Sequence, residues 1–167
     1  GSQGAQSINK HIINNYKKYT DNNIQIIWQI GKNLKSFKID KLDKRIKIFS
    51  FIDEMDLAYS ASNLIISRAG ATAISEILYL EKPSILIPYP FAANNHQEIN
   101  AVTLEKKNTS ITIHEKDLKS GELEKTILEL SASIEKVNFY KENIRKYSFN
   151  NSAYLIKEHI KDAINNA

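Results

Sequence analysis

"NLIISRAGATAISEILYLEKPSILIPY", residues Asn63 to Tyr89, is the stretch on which the fold turns. It opens on a short apolar run, "NLIIS" (63 to 67), passes through small residues around Gly70, and continues as a helical pattern over Ala73 to Leu80. Pro83 then introduces a second apolar run, "SILIPY" (84 to 89). Short, β-branched runs bounded by breakers predict buried strands. Two such strands joined by a helix predict a parallel crossover covered on both faces.

The alternation extends in both directions. "IQIIWQI" (24 to 30), "RIKIFSF" (45 to 51) and "TSITIH" (109 to 114) read as three further strands. Helices are predicted over Gln6 to Tyr19, Met55 to Ala61, Asn95 to Lys106, Glu122 to Ser133, Glu135 to Lys146 and Ser152 to Ile164. The pattern predicts the α/β class, a Rossmann-like doubly wound parallel sheet, in which ligands lie beyond the carboxyl ends of the strands. With 167 residues, 42% of them hydrophobic, the chain suits one well-buried domain over 1–167. No repeat, low-complexity stretch or Pro/Gly linker marks a second.

Composition removes several function classes. The absence of cysteine excludes disulfides, thiolate metal sites and a cysteine nucleophile, and suits a reducing, cytoplasmic setting. The net charge of +4 comes from lysines spread among 19 acids, which reads as solvated faces and argues against a nucleic-acid partner. No run approaches the ~18 apolar residues of a membrane span. The histidines at 11, 96, 114 and 159 have no metal-like spacing, and no Gly-x-Ser-x-Gly elbow or Walker lysine occurs, so no metal or cofactor is expected.

Four segments could carry chemistry. "GSQGA" (1 to 5) leads into the first helix, where Gly4, the Ser2 hydroxyl and free helix-start N–H groups would cradle a phosphate. A plain N-terminal tail accounts for it equally, and Gly-Ser is also a common vector-derived start. "SRAGATAISE" (67 to 76) places Gly70 in a strand-to-helix turn, so the backbone from Ala69 to Ala73 can press against a ligand. Glu76 then stands where a carboxylate can accept from a vicinal diol, although the helix dipole alone also favours an early acid. Arg68 can touch a phosphate or pair with a carboxylate at the sheet rim.

In "PYPFAANNHQEINA" (88 to 101), Asn95 and Glu98 have the spacing of a capping box. That leaves His96 and Gln97 at a helix start with neutral groups suited to sugar hydroxyls. In "FSFIDEMDLAYSASN" (49 to 63), Ile52 and Met55 border an apolar slot for a flat base, or pack in the core.

Taken together, "GSQGA", "FIDEMDLAYSASNLIISRAGATAISEI" and "KPSILIPYPFAANNHQEINA" resemble, in order, the C-terminal donor-binding half of the MurG family, in glycosyltransferase family 28. The family transfers GlcNAc from UDP-GlcNAc to lipid I, making lipid II for peptidoglycan. It has a GT-B architecture of two Rossmann-like domains around a cleft. The resemblance implies that Ser2, Gly4 and their backbone face the diphosphate and that Ile52 reads the uracil edge with Met55 nearby. By the same match Ala71, Thr72 and Ala73 contact the diphosphate and sugar, Glu76 holds the ribose, and His96 and Gln97 meet GlcNAc. The last helix resembles the one that packs back toward the other domain.

The family's loop reads "GGSQGA" after a strand, so a preceding strand and an N-terminal domain are expected upstream of residue 1. That domain would supply lipid I binding, membrane contact on the cytoplasmic face of the inner membrane, and the catalytic base. Two rivals stand beside this reading: the donor subunit of a two-chain, dolichol-linked type of GlcNAc transferase, and a non-enzymatic α/β interaction domain.

Overall fold

The structure, a computed structural model, describes residues 4–32 and 43–147. Ser2 and the helix expected over Ser152 to Ile164 lie outside the described residues. The chain alternates as the sequence predicts: α1 (Gln6–Asp21), β1 (Ile26–Gln29), β2 (Ile46–Phe49), α2 (Met55–Ala61), β3 (Ile65–Ser67), α3 (Ala71–Tyr79), β4 (Ser84–Leu86), α4 (His96–Lys106), β5 (Ile111–Thr112) and α5 (Glu122–Ala132). A sixth helix, α6, covers 134–147.

Among the described residues all strand pairing is parallel. β1 pairs with β2, Ile26 opposite Ile46, and β4 lies between β3 and β5, with Ile65 opposite Ser84 and Ile85 opposite Ile111. The two sheets share no ladder, so β1, β2, β3 and β5 each keep one edge without a strand partner among the described residues. The ladders are shorter than the apolar runs that predicted them. Single bonds prolong them: Ile30 N–H to the Phe49 carbonyl, Ile87 N–H to that of Ser67, and Ile113 N–H to that of Leu86. Proline lacks an N–H, so Pro88 ends β4 and the chain leaves the sheet.

One apolar core joins both sheets. Ile8, Ile12 and Tyr19 of α1 pack with Trp28, Ile30 and Ile46 on one side and Ile85, Ile87, Ile113, Leu123 and Ile127 on the other. The α1 residues recur at helical spacing, which gives that helix a single buried stripe. A smaller cluster of Ala69, Leu86, Ala101 and Leu104 seats α3 and α4 against β4. Asn9, on the buried face of α1, is engaged at both ends of its amide: its Nδ2 donates to the Ile30 carbonyl at 2.8 Å and its Oδ1 accepts from Trp28 Nε1 at 2.9 Å.

Candidate functional site

Three helices, α1, α3 and α4, begin next to the carboxyl ends of strands, and none has a side-chain cap. Ala5, Gly70 and Asn95 occupy the cap positions without a side-chain hydrogen bond. Each start therefore presents backbone N–H groups and the positive end of a dipole, the elements of an anion site.

Arg68, just after β3, links these starts. One terminal nitrogen donates to the carbonyls of Ile87 at 3.2 Å and Pro88 at 3.1 Å. The other donates to the Ser7 hydroxyl in the first turn of α1 at 2.8 Å and forms an ion pair with Glu115. The guanidinium also stands 5.3 Å from the centre of the Tyr89 ring. Of the two roles open to Arg68, pairing with a carboxylate at the sheet rim is the one seen. Asn100 adds a tie from α4, donating to the Ala69 carbonyl at 3.1 Å.

The two glycines of the site differ in kind. Gly4 adopts φ +74°, and a Cβ there would stand 2.3 Å from the Ile30 carbonyl oxygen. The fold itself thus requires a glycine at position 4. Gly70 has φ −74° and ψ 142°, open to any residue, and a Cβ on it would meet nothing within 4 Å. Neither the backbone angle nor packing among the described residues calls for a glycine at position 70. Ala71 and Thr72 are exposed there and Ala73 is half-buried.

Gln97 and His96 open α4. The Tyr89 N–H donates to Gln97 Oε1 at 3.0 Å, which fixes the amide orientation and leaves the Nε2 group as a donor. His96 Nδ1 lies 2.6 Å from the Ala93 carbonyl, so in the neutral ring that nitrogen carries the proton and Nε2 is an acceptor. The expected capping box does not form. Asn95 sits in the left-handed region at φ 53°, following Asn94 at φ 49°, so its side chain does not reach the helix N–H groups. Glu98 instead accepts from His114 Nε2 at 2.8 Å, tying α4 to the segment after β5.

On the α2 side, Glu76 is exposed in α3, with the Tyr59 phenol close to its carboxylate. Burial, with the adjoining Glu76 charge, pushes the Tyr59 phenol up to about 12, so it remains a donor at neutral pH. Ile52 lies beyond β2, and its N–H donates to Gln29 Oε1 at 2.9 Å. A base that takes this N–H displaces the Gln29 side chain. Gln29 was not singled out in the sequence; its signal is a polar residue ending an apolar strand. Met55 starts α2, half-buried, beside Phe51 and Leu57, which are 55% and 57% exposed.

Among the described residues no group of three or more His, Asp or Glu side chains is placed to hold a metal ion, and no helix is long and apolar enough to cross a membrane. An apolar cavity of about 370 Å³ lies between β5, α5 and α6, lined by Ile111, Leu130, Phe139 and Tyr140 with Glu129 and Lys136 at its rim. None of the motif residues lines it.

The family described as glycosyltransferase family 28 C-terminal domain matches residues 1–160, and the chain belongs to that family. A relative from Christiangramia forsetii, named UDP-N-acetylglucosamine--N-acetylmuramyl-(pentapeptide) pyrophosphoryl-undecaprenol N-acetylglucosamine transferase, is 38% identical over 99% of this chain and 45% of its own length. A protein of the same name from Halothermothrix orenii is 42% identical over 78% of this chain and 38% of its own. The chain thus spans less than half the length of these relatives.

Among solved structures, Acinetobacter baumannii MurG superposes with a TM-score of 0.66 at 23% identity, over 85% of this chain and 43% of that one. The kitacinnamycin glycotransferase gives 0.59 at 16% identity, over 80% and 34%. The shared fold is the mixed α/β architecture with parallel sheets.

Proposed function

We propose that the chain is the UDP-GlcNAc-binding half of an inverting glycosyltransferase that transfers GlcNAc to lipid I to form lipid II in peptidoglycan synthesis. The observation that carries this is the 38% identity with the Christiangramia forsetii transferase across 99% of the chain. The unexplained Gly70 and the uncapped helix starts support it.

In this reading the donor lies across the strand ends as a single domain, 1–167, presents them. Uracil sits against Ile52 and Met55, and the ribose diol donates to Glu76. That carboxylate offers about four lone-pair sites, enough for both ribose hydroxyls. The diphosphate lies over the starts of α1 and α3, near Ser2, Gly4, Ala71, Thr72 and Ala73, and GlcNAc meets His96 and Gln97. An acceptor hydroxyl, deprotonated by a base outside this chain, attacks the anomeric carbon as UDP leaves. Helix-start N–H groups then stabilise the charge gathering on the diphosphate, without a metal or other cofactor.

Lipid I, the base and the membrane surface belong, on this proposal, to a further N-terminal half. The whole enzyme works in the cytoplasm, peripheral on the inner face of the inner membrane. Positioning of both substrates supplies much of the acceleration, so this half alone binds donor without turning it over. Calorimetric or chemical-shift titration with UDP-GlcNAc tests the proposal. Saturable binding with shifts at Gly70 to Glu76 and at Gln97 is expected; no response at millimolar ligand would refute it.

A further inference from the structure

We infer that Arg68 is a positioning residue that locks the sugar-reading loop to the diphosphate cradle without touching the donor. The inference rests on the donor site proposed above.

Arg68 has five N–H donors, and four of its hydrogen bonds are already made within the chain, to Ile87, Pro88, Ser7 and Glu115. Its charge is matched by Glu115, and its side chain is only 18% exposed. Little of it remains to hold a phosphate. What it holds is a side chain at one place and backbone at another. Through Ser7 it grips the first turn of α1, the diphosphate side. Through the Ile87 and Pro88 carbonyls and the Tyr89 ring it grips the chain where it leaves β4.

The next link passes from the Tyr89 N–H to Gln97 Oε1, which decides where the Gln97 Nε2 donor points. Asn94 and Asn95, both left-handed, complete this loop, so its conformation is not one the local chain favours. A displaced Pro88–Tyr89 segment would carry Gln97 with it. A planar fork can satisfy two carbonyls, a hydroxyl and a carboxylate together, whereas an ammonium on a flexible stem cannot keep that geometry.

The test is a ligand series on the full 167-residue chain. Affinities for UMP, UDP and UDP-GlcNAc are measured for the parent, Arg68→Gln, Arg68→Lys and Glu115→Gln, with melting temperatures alongside. The expected result is selective: Arg68→Gln weakens UDP-GlcNAc about tenfold while UMP changes less than about twofold. Arg68→Lys should behave like Arg68→Gln, because it keeps the charge and loses the fork.

Equal weakening of all three ligands means that Arg68 supports only the fold, and overturns the inference. Unchanged affinities, or full rescue by lysine, overturn it too. Should Arg68→Gln fail to fold, Glu115→Gln carries the same comparison, with a loss of about threefold confined to UDP-GlcNAc. A parent chain that binds none of the three overturns the donor-site proposal and this inference with it. Parent binding with an unselective variant overturns this inference alone.

Discussion

A Cβ on Gly4 would stand 2.3 Å from the carbonyl oxygen of Ile30, the same oxygen that accepts from Asn9 Nδ2. The α1 start is therefore pressed against the end of β1, with backbone on the far side of the contact and nothing flexible to yield. Gly4→Ala adds this clash to an unfavourable φ of +74°. It should destabilise the chain by at least about 2 kcal/mol. Denaturant unfolding checks this, and an unchanged midpoint would contradict it.

Gly70→Ala should behave in the opposite way. The angles at position 70 suit alanine, and the added methyl meets no atom of the described residues within 4 Å. Lower chain entropy in the unfolded state and a poorer cap offset each other, leaving stability within about 1 kcal/mol. UDP-GlcNAc affinity should still fall, because the methyl occupies the space the proposed donor pose takes over the start of α3. Undiminished affinity would remove Gly70 from the site.

Glu76→Ala removes an exposed side chain and should leave the melting temperature unchanged while UDP affinity drops about tenfold. Affinity for 2′,3′-dideoxy-UDP, which lacks the diol, should not change. Tyr59→Phe should lose a smaller part of the same discrimination, because the phenol only flanks the carboxylate. If diol and dideoxy ligands suffer alike, Glu76 acts on something other than the ribose.

His11 predicts a pH dependence of stability. It is buried, with Nδ1 at 3.1 Å from the Leu118 carbonyl and Nε2 at 2.8 Å from the Tyr19 hydroxyl. Burial lowers its pKa below the ordinary 6.5, against the opposing pull of Glu124 and the Leu118 carbonyl and with a lesser push from Lys18. The folded chain therefore favours the neutral ring. Its contribution is complete above 6.5 and is lost as pH falls from 6.5 through the depressed folded value. The melting temperature should drop over that window in the parent and lose this component in His11→Gln. Identical pH profiles would exclude His11 as the cause.

Much of the architecture was legible before any coordinate. Apolar runs between breakers mark the five described strands, most continuously at β4, which is buried on both faces and so has no polar side to alternate with, whereas β1 and β2 leave Ile27, Lys47 and Phe49 exposed. Their lengths were overread: hydrophobicity reports burial, and buried chain runs past the ladder at Ile30, Ile87 and Ile113. Spacing also misled at Asn95 and Glu98. The capping box needs an extended cap residue, and the left-handed turn at Asn94 and Asn95 removes that geometry.

By itself, then, the sequence determined the order of strands and helices, the parallel α/β class, and the small-residue turns at which helices begin, because these follow from local periodicity and the conformational reach of glycine and proline. Only the tertiary structure decided what the polar side chains do there. Arg68 meets a carboxylate 47 positions away, and Gln29 the Ile52 N–H 23 positions away. Such partners are chosen by how strands stack and where loops leave the sheet, and no local pattern encodes that.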